Sequence, residues 1–243
     1  MSGFRRPSWW ALLLTAAGAL LFVRLGVWQL HRADYKEALL RRYAASSSAP
    51  LQDFARVAGT PQAGSFPRVR VRGHYLADRR YLLDNPKHDE RGGVEVFAPL
   101  ELPGQRRLLL VDLGFLPGNG TAQKPRLPPL PAGDISLQGS YVPPPPTGIE
   151  MGGNALARQT RWPKDSIFLD PAEIAHDLGR PLYPRVLALD ADPDSGYVRE
   201  HTFDFSTMPP ARHRAYAFQW FSFAVAAVVI LLVVHRKRDP RKP

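Results

Sequence analysis

Two dense apolar runs bracket a mainly polar middle in which short stretches alternate apolar and polar positions. Ala215 to Val234 holds no charged residue over 20 positions. At about 1.5 Å per residue that length matches a hydrocarbon core roughly 30 Å thick. Trp9 to Val23 is also apolar; Arg24 then interrupts, and Leu25 to Trp28 complete a length that can cross a bilayer. Arg5 and Arg6 suit the charged start of a signal peptide, but no small-x-small cleavage site follows promptly and apolar character resumes after Arg24. The first run therefore reads as an uncleaved anchor. Arg24 is explained first by snorkelling to the headgroups, and second as a counter-charge facing the other helix or a ligand carboxylate.

Between the runs, Asp34 to Tyr43 has helical composition and extends the anchor, and Ala44 to Pro50 reads as a Ser-rich linker. Val69, Val71, Gly73 and Tyr75 alternate with Arg70, Arg72 and His74, the period of a half-buried strand. Further strands are predicted at 81–83, 94–100, 108–115, 135–141 and 182–189, with turns at Asp84-Asn85-Pro86 and Pro103-Gly104. One helix is signalled by Asp170 as N-cap, Pro171 at its first position, Glu173 completing an Asp-x-x-Glu box, and Gly179 as its end. Pro143 to Pro146 and Lys124 to Pro131 read as stiff connectors, with a polyproline-ligand role as the lesser alternative.

The expected fold class is an α+β membrane protein. Two transmembrane helices (9–28 and 212–234) flank a mainly antiparallel β domain (29–211) with one small helix; the domain is an open sheet, a sandwich or a partly closed barrel. Segments 1–8 and 235–243 are short tails.

Charge changes the picture only at the ends. Of the 32 Lys and Arg and 22 Asp and Glu, ten basic residues against one acidic residue fall in 1–30 and 211–243. The net charge of +10 is thus a property of the membrane-flanking segments, and the bilayer rather than a nucleic acid is the implied partner. Basic clusters before the first span and after the second (His235, Arg236, Lys237, Arg238) place both termini in the cytoplasm and export the middle domain, although Arg24, Arg212 and Arg214 weaken the contrast.

The sequence contains no cysteine, which excludes disulfides, thiolate metal sites and thiol nucleophiles. Nucleophile elbow, Walker loop, dinucleotide fingerprint and His-Glu-x-x-His pair are all absent, so no enzyme is indicated. Met151 and Met208, the only methionines besides the initiator, do not make a copper-carrier motif. In the second apolar run, His213, Tyr216 and Trp220 stand at i, i+3 and i+7 and share a helix face. His213 there is a candidate haem-iron ligand, Tyr216 and Trp220 could pack on a macrocycle, and Arg24, Arg212 or Arg214 could meet its carboxylates. On spacing alone, an aromatic belt with a solvated interfacial histidine explains the same residues and outweighs the ligand.

Several local words, in order along nearly the whole chain, resemble the Surfeit locus protein 1 family of cytochrome c oxidase assembly factors. They are Gly26-Val27-Trp28-Gln29-Leu30 with Arg32 and Lys36; Gly73-His74-Tyr75; Leu83-Asp84-Asn85; Val96-Phe97-Ala98-Pro99-Leu100; and His213-Arg214-Ala215-Tyr216-Ala217-Phe218-Gln219-Trp220-Phe221. The resemblance implies a chaperone of respiratory-chain biogenesis in the bacterial inner membrane, its central domain periplasmic. It implies assistance with haem a insertion into oxidase subunit I, contact with other assembly factors, and His213 as the axial-ligand candidate. One departure stands out: Asp112-Leu113-Gly114-Phe115 occupies the place of an Asn-Arg-Gly-Trp type sequence, so the expected arginine is missing. Two other functions stay open, a haem-independent scaffold for oxidase subunits and an exported sensor or ligand-binding module. The sensor ranks last because the short tails offer no output domain.

Overall fold

The computed structural model describes residues 6–46, 48–60, 62, 64–88, 91–118, 124–146, 154, 156–199 and 208–236. Arg5, Met151, Lys237 and Arg238, used in the sequence reading, lie outside the described residues. The chain divides into a helical unit, 1–39 with 208–243, and a β unit, 40–207.

Two helices make the helical unit: α1 (Trp9–Ser46), whose last turns belong to the β unit, and α4 (Pro210–His235). Both carry windows long and apolar enough to span a bilayer, and those windows are hardly buried by protein. Leu14 and Phe218, for example, are 68% and 76% exposed. A soluble core helix would hide such side chains, so their outward display identifies a membrane protein. At 38 residues α1 is about 57 Å long, well beyond the hydrocarbon thickness. It runs through the first part of the expected Ser-rich linker. Ala44 and Ala45 are strong helix formers, and Ser46 Oγ donates to the Tyr43 carbonyl at 2.6 Å in the final turn.

The β unit contains β1 (Gln52–Asp53), α2 (Phe54–Val57), β2 (Arg68–Tyr75), β3 (Tyr81–His88), β4 (Arg91–Glu101), β5 (Leu108–Pro117), β6 (Ile135–Val142), β7 (Lys164–Ser166), α3 (Pro171–Leu178) and β8 (Leu182–Leu189). Sheet order is β1-β2-β6-β8-β5-β4-β3-β7, and β2 also pairs with β4, so β2, β6, β8, β5 and β4 close into a five-stranded barrel. Five strand pairings are antiparallel; β1–β2, β3–β7 and β5–β8 are parallel. The barrel core draws on alternate positions: Val69, Val71 and Tyr75 of β2, Val94, Val96, Ala98 and Leu100 of β4, and Leu109, Val111 and Leu113 of β5. On β2 the expected alternation holds, with Arg70 and Arg72 exposed.

The turn expected at Asp84-Asn85-Pro86 is instead an irregularity within β3, and pairing with β4 resumes at Lys87. Proline cannot donate to a ladder, and a bulge accommodates it without ending the strand. Gly104, at φ 70°, makes the expected turn between β4 and β5. α3 follows its sequence signals, with Asp170 accepting from Ala172 N at 2.8 Å and Gly179 left-handed at φ 65°. Glu173 does not close the capping box; it accepts from Asn154 Nδ2 at 2.7 Å. The Lys124–Pro131 stretch is neither helix nor strand, and its Leu127 and Leu130 pack on the barrel core.

The Asp112-Leu113-Gly114-Phe115 segment forms a β-bulge. Val96 pairs with Gly114 and Phe97 with Asp112, leaving Leu113 as the extra residue, buried in the core. Gly114 sits at φ 114° and its N–H donates to Asp112 Oδ1 at 3.0 Å. A guanidinium does reach this bulge: Arg199 Nε donates to the Leu113 carbonyl at 3.0 Å. Asp112 is 3% exposed and hydrogen-bonds the carboxyl of Glu95, so burial and the neighbouring Asp112 charge raise the Glu95 pKa well above the usual carboxylate range. The carboxyl pair converges, but two clefts of the β unit are lined by other residues: one includes Arg70, Arg72 and Tyr183, the other His74, Arg80 and Arg126.

A pH dependence follows from Glu95. Its unfolded-state pKa lies near 4.5, so above that pH the folded chain keeps a proton that the unfolded chain releases. Stability is therefore fully present below that value and falls as pH rises towards the folded-state pKa, at up to about 1.4 kcal/mol per unit. Denaturation midpoints of the full chain in detergent are expected to drop between pH 5 and pH 8, and Glu95→Gln to flatten that drop and stabilise the protein at pH 8. A variant with the wild-type slope would assign the effect to other groups.

Candidate functional site in the helix pair

On α1, Phe22, Gly26, Gln29, Ala33 and Lys36 recur at steps of four, three, four and three and so share one face. On α4, His213, Ala217, Trp220 and Ala224 do the same. Small residues bring the helices close: Ala33 and Ala217 are essentially inaccessible, and a Cβ on Gly26 would meet the Phe221 ring at 2.7 Å. Farther along, Phe22 stacks on Trp220 with centroids 5.8 Å apart and meets Phe223 edge-on at the same separation.

Towards the start of α4 the seam turns polar. His213, 6% exposed, places Nδ1 2.6 Å from Gln29 Oε1. An amide oxygen only accepts, so Nδ1 is the donor in this contact, and in the neutral ring Nε2 then holds the lone pair. Nε2 is itself buried and has no hydrogen-bond partner among the described residues. Lys36, also buried, donates to the Met208 carbonyl at 2.5 Å. Arg214 pairs with Glu37 at 2.5 Å; both are at least a third exposed, so this pair orients more than it stabilises.

The sequence-derived residues separate in space. His213 is in the seam and Trp220 lines its aromatic end, whereas Tyr216 is 39% exposed on the flank. Arg24 is exposed, about half a turn around α1 from the Gly26–Gln29–Ala33 face. Arg212 is exposed too. Spacing on α4 alone did not find Gln29 or Lys36. The available signal was their cost: an amide and an ammonium beside an apolar run, in register with Gly26 and Ala33, need partners on another helix. Among the described residues, no cluster of three or more His, Asp or Glu suits a metal ion. The site therefore offers a single imidazole nitrogen, pre-set in its tautomer and set between apolar and aromatic surfaces.

None of the curated proteins compared with the sequence matches it. The model of the SURF1 family does, over residues 16–225, a range that takes in the whole β unit, the Gly26–Lys36 face and the His213–Ala224 face. The chain belongs to the SURF1 family, a family of oxidase assembly factors.

Proposed function

We propose that this protein is a membrane-anchored assembly factor for haem-copper cytochrome c oxidase that holds haem a through His213 during its insertion into subunit I. The observation that carries the reading is the buried Nε2 of His213, which has no partner among the described residues while Nδ1 is tied to Gln29. A buried nitrogen left without a hydrogen bond costs about 1–3 kcal/mol, a cost that makes sense where that nitrogen has another use. Haem, when bound, supplies a Lewis-acidic iron that accepts an imidazole lone pair. His213 offers that donor, and Trp220 and Phe22 offer flat apolar surface along the same seam. Arg212 is an exposed cation available to a haem carboxylate, whereas Arg214 is engaged by Glu37 and Arg24 points the other way. Because Nε2 is covered, the seam must loosen before the nitrogen can ligate, which suits a carrier that gives up its cargo.

In this reading the chain sits in the bacterial inner membrane, both termini cytoplasmic and the β domain periplasmic, as its terminal basic clusters support. Packing of α4 along the Gly26–Lys36 face supports retention of α1 as an anchor.

The test is cofactor content. Full-length protein purified from cells making haem a is expected to show haem absorption, and His213→Ala to lose at least nine-tenths of it while its β domain unfolds at the wild-type midpoint. Equal haem in the variant would remove His213 from the proposal. The covered position of Nε2 also favours a second reading, a haem-independent scaffold for oxidase subunits. Haem-free protein that co-purifies with subunit I and restores oxidase assembly would select it.

A further inference from the structure

We propose that Gln29 is a positioning residue for His213, fixing the imidazole as the neutral tautomer whose Nε2 lone pair faces the cofactor; this rests on the haem-carrier reading above. Neutral imidazole in water favours the proton on Nε2, the tautomer in which the nitrogen needed as ligand is blocked. In this helix pair the preference is reversed by one contact. Gln29 Oε1 stands 2.6 Å from Nδ1, and His213 is buried, so the imidazole has no water with which to replace that bond. A hydrogen bond of this kind also makes the opposite nitrogen more basic and holds the ring plane steady, as outer partners do for metal-bound histidines.

The residue types are chosen by the seam. Ala33 and Ala217 bring the helices close enough for a Gln on one to reach a His on the other. Lys36, on the same face of α1, donates to the Met208 carbonyl. An uncharged acceptor at position 29 sets the tautomer without drawing a second proton onto the ring. A carboxylate there would set it too, while adding charge.

The experiment uses full-length, haem-free protein in nanodiscs with 15N-labelled histidine. Wild type is expected to show a protonated Nδ1 and an unprotonated Nε2 for His213, assigned by loss of the signals in His213→Ala. Gln29→Leu, similar in volume but without an acceptor, should shift the population towards protonated Nε2, and Gln29→Glu should restore protonated Nδ1. Titrated haemin should bind Gln29→Leu about tenfold more weakly than wild type. A wild-type His213 protonated on Nε2, or Gln29→Leu with wild-type tautomer and haemin affinity, would overturn the assignment. The two proposals fail separately: if the tautomer pattern holds but His213→Ala binds haemin normally, Gln29 sets the ring and the haem reading is lost.

Discussion

Gly73→Ala is expected to cost the β domain about 3 kcal/mol or more, the upper end of what overpacking does, because the added methyl would strike backbone and not a movable side chain. A Cβ at this position would lie 2.3 Å from the Glu101 carbonyl oxygen and 3.1 Å from Leu100 Cγ. Gly73 is where β2 ends its pairing with β6, opposite Ile135; the next residue, His74, pairs with Glu101 of β4. The methyl therefore stands at the join that turns an open sheet into a barrel, and β2 and β4 must separate to admit it. Gly92, near the start of β4, serves as control, since a Cβ there would meet nothing within 4 Å. Gly92→Ala is expected to change stability by less than about 0.5 kcal/mol. Denaturant midpoints of the detergent-solubilised full chain decide the matter. Equal midpoints for the two variants would mean that β2 and β4 do not close as described.

That join also marks the limit of what the sequence makes legible. Strand β2 could be read because one face is core and the other solvent, so Val69 and Val71 alternate with Arg70 and Arg72. Strand β5 lacks that contrast: Leu108 through Leu116 are all buried, Asp112 included, and apolar residues occupy both faces. A strand of this kind announces its existence but not its neighbours, and the parallel β5–β8 pairing leaves no hairpin turn to find. The bounds of helix α3 were legible because its start and stop are local chemistry, an Asp cap and a left-handed Gly. Glu173 shows where local reasoning stops, since the side chain that would complete the box is taken by Asn154, far from the cap in sequence. The candidate site divides in the same way. His213 and Trp220 could be found from helical spacing on α4, but Gln29 acquires its meaning only across a helix pair that brings together residues 184 positions apart.

The same dependence on distant partners sets the last expectation, a loss of about 3–5 kcal/mol on Asp177→Ala. Asp177 of α3 accepts from Lys164 Nζ of β7 at 2.5 Å and from the Tyr81 hydroxyl of β3 at 2.8 Å. The Lys164 and Asp177 side chains are only 8% and 7% exposed, so neither charge has water to fall back on. Lys164 also donates to the Leu156 carbonyl at 3.0 Å and lies over the Trp162 ring at 4.8 Å, contacts that hold the ammonium in place after its counter-ion is gone. The alanine variant thus leaves a buried, unbalanced cation together with an unpaired phenol, a different matter from removing both charges. Lys164→Met with Asp177→Leu is therefore expected to cost less than the sum of the single changes, with a coupling of about 2 kcal/mol measured as a double-mutant cycle on denaturant midpoints. Additive costs, or an Asp177→Ala midpoint within about 0.5 kcal/mol of wild type, would mean the pair is solvated in the folded protein. A loss of the expected size would lower the folded fraction in the membrane, so Asp177→Ala should reduce oxidase assembly through protein abundance, whereas His213→Ala should reduce it at undiminished abundance. Comparing assembled oxidase per molecule of this protein in the two variants separates damage to the scaffold from damage to the site.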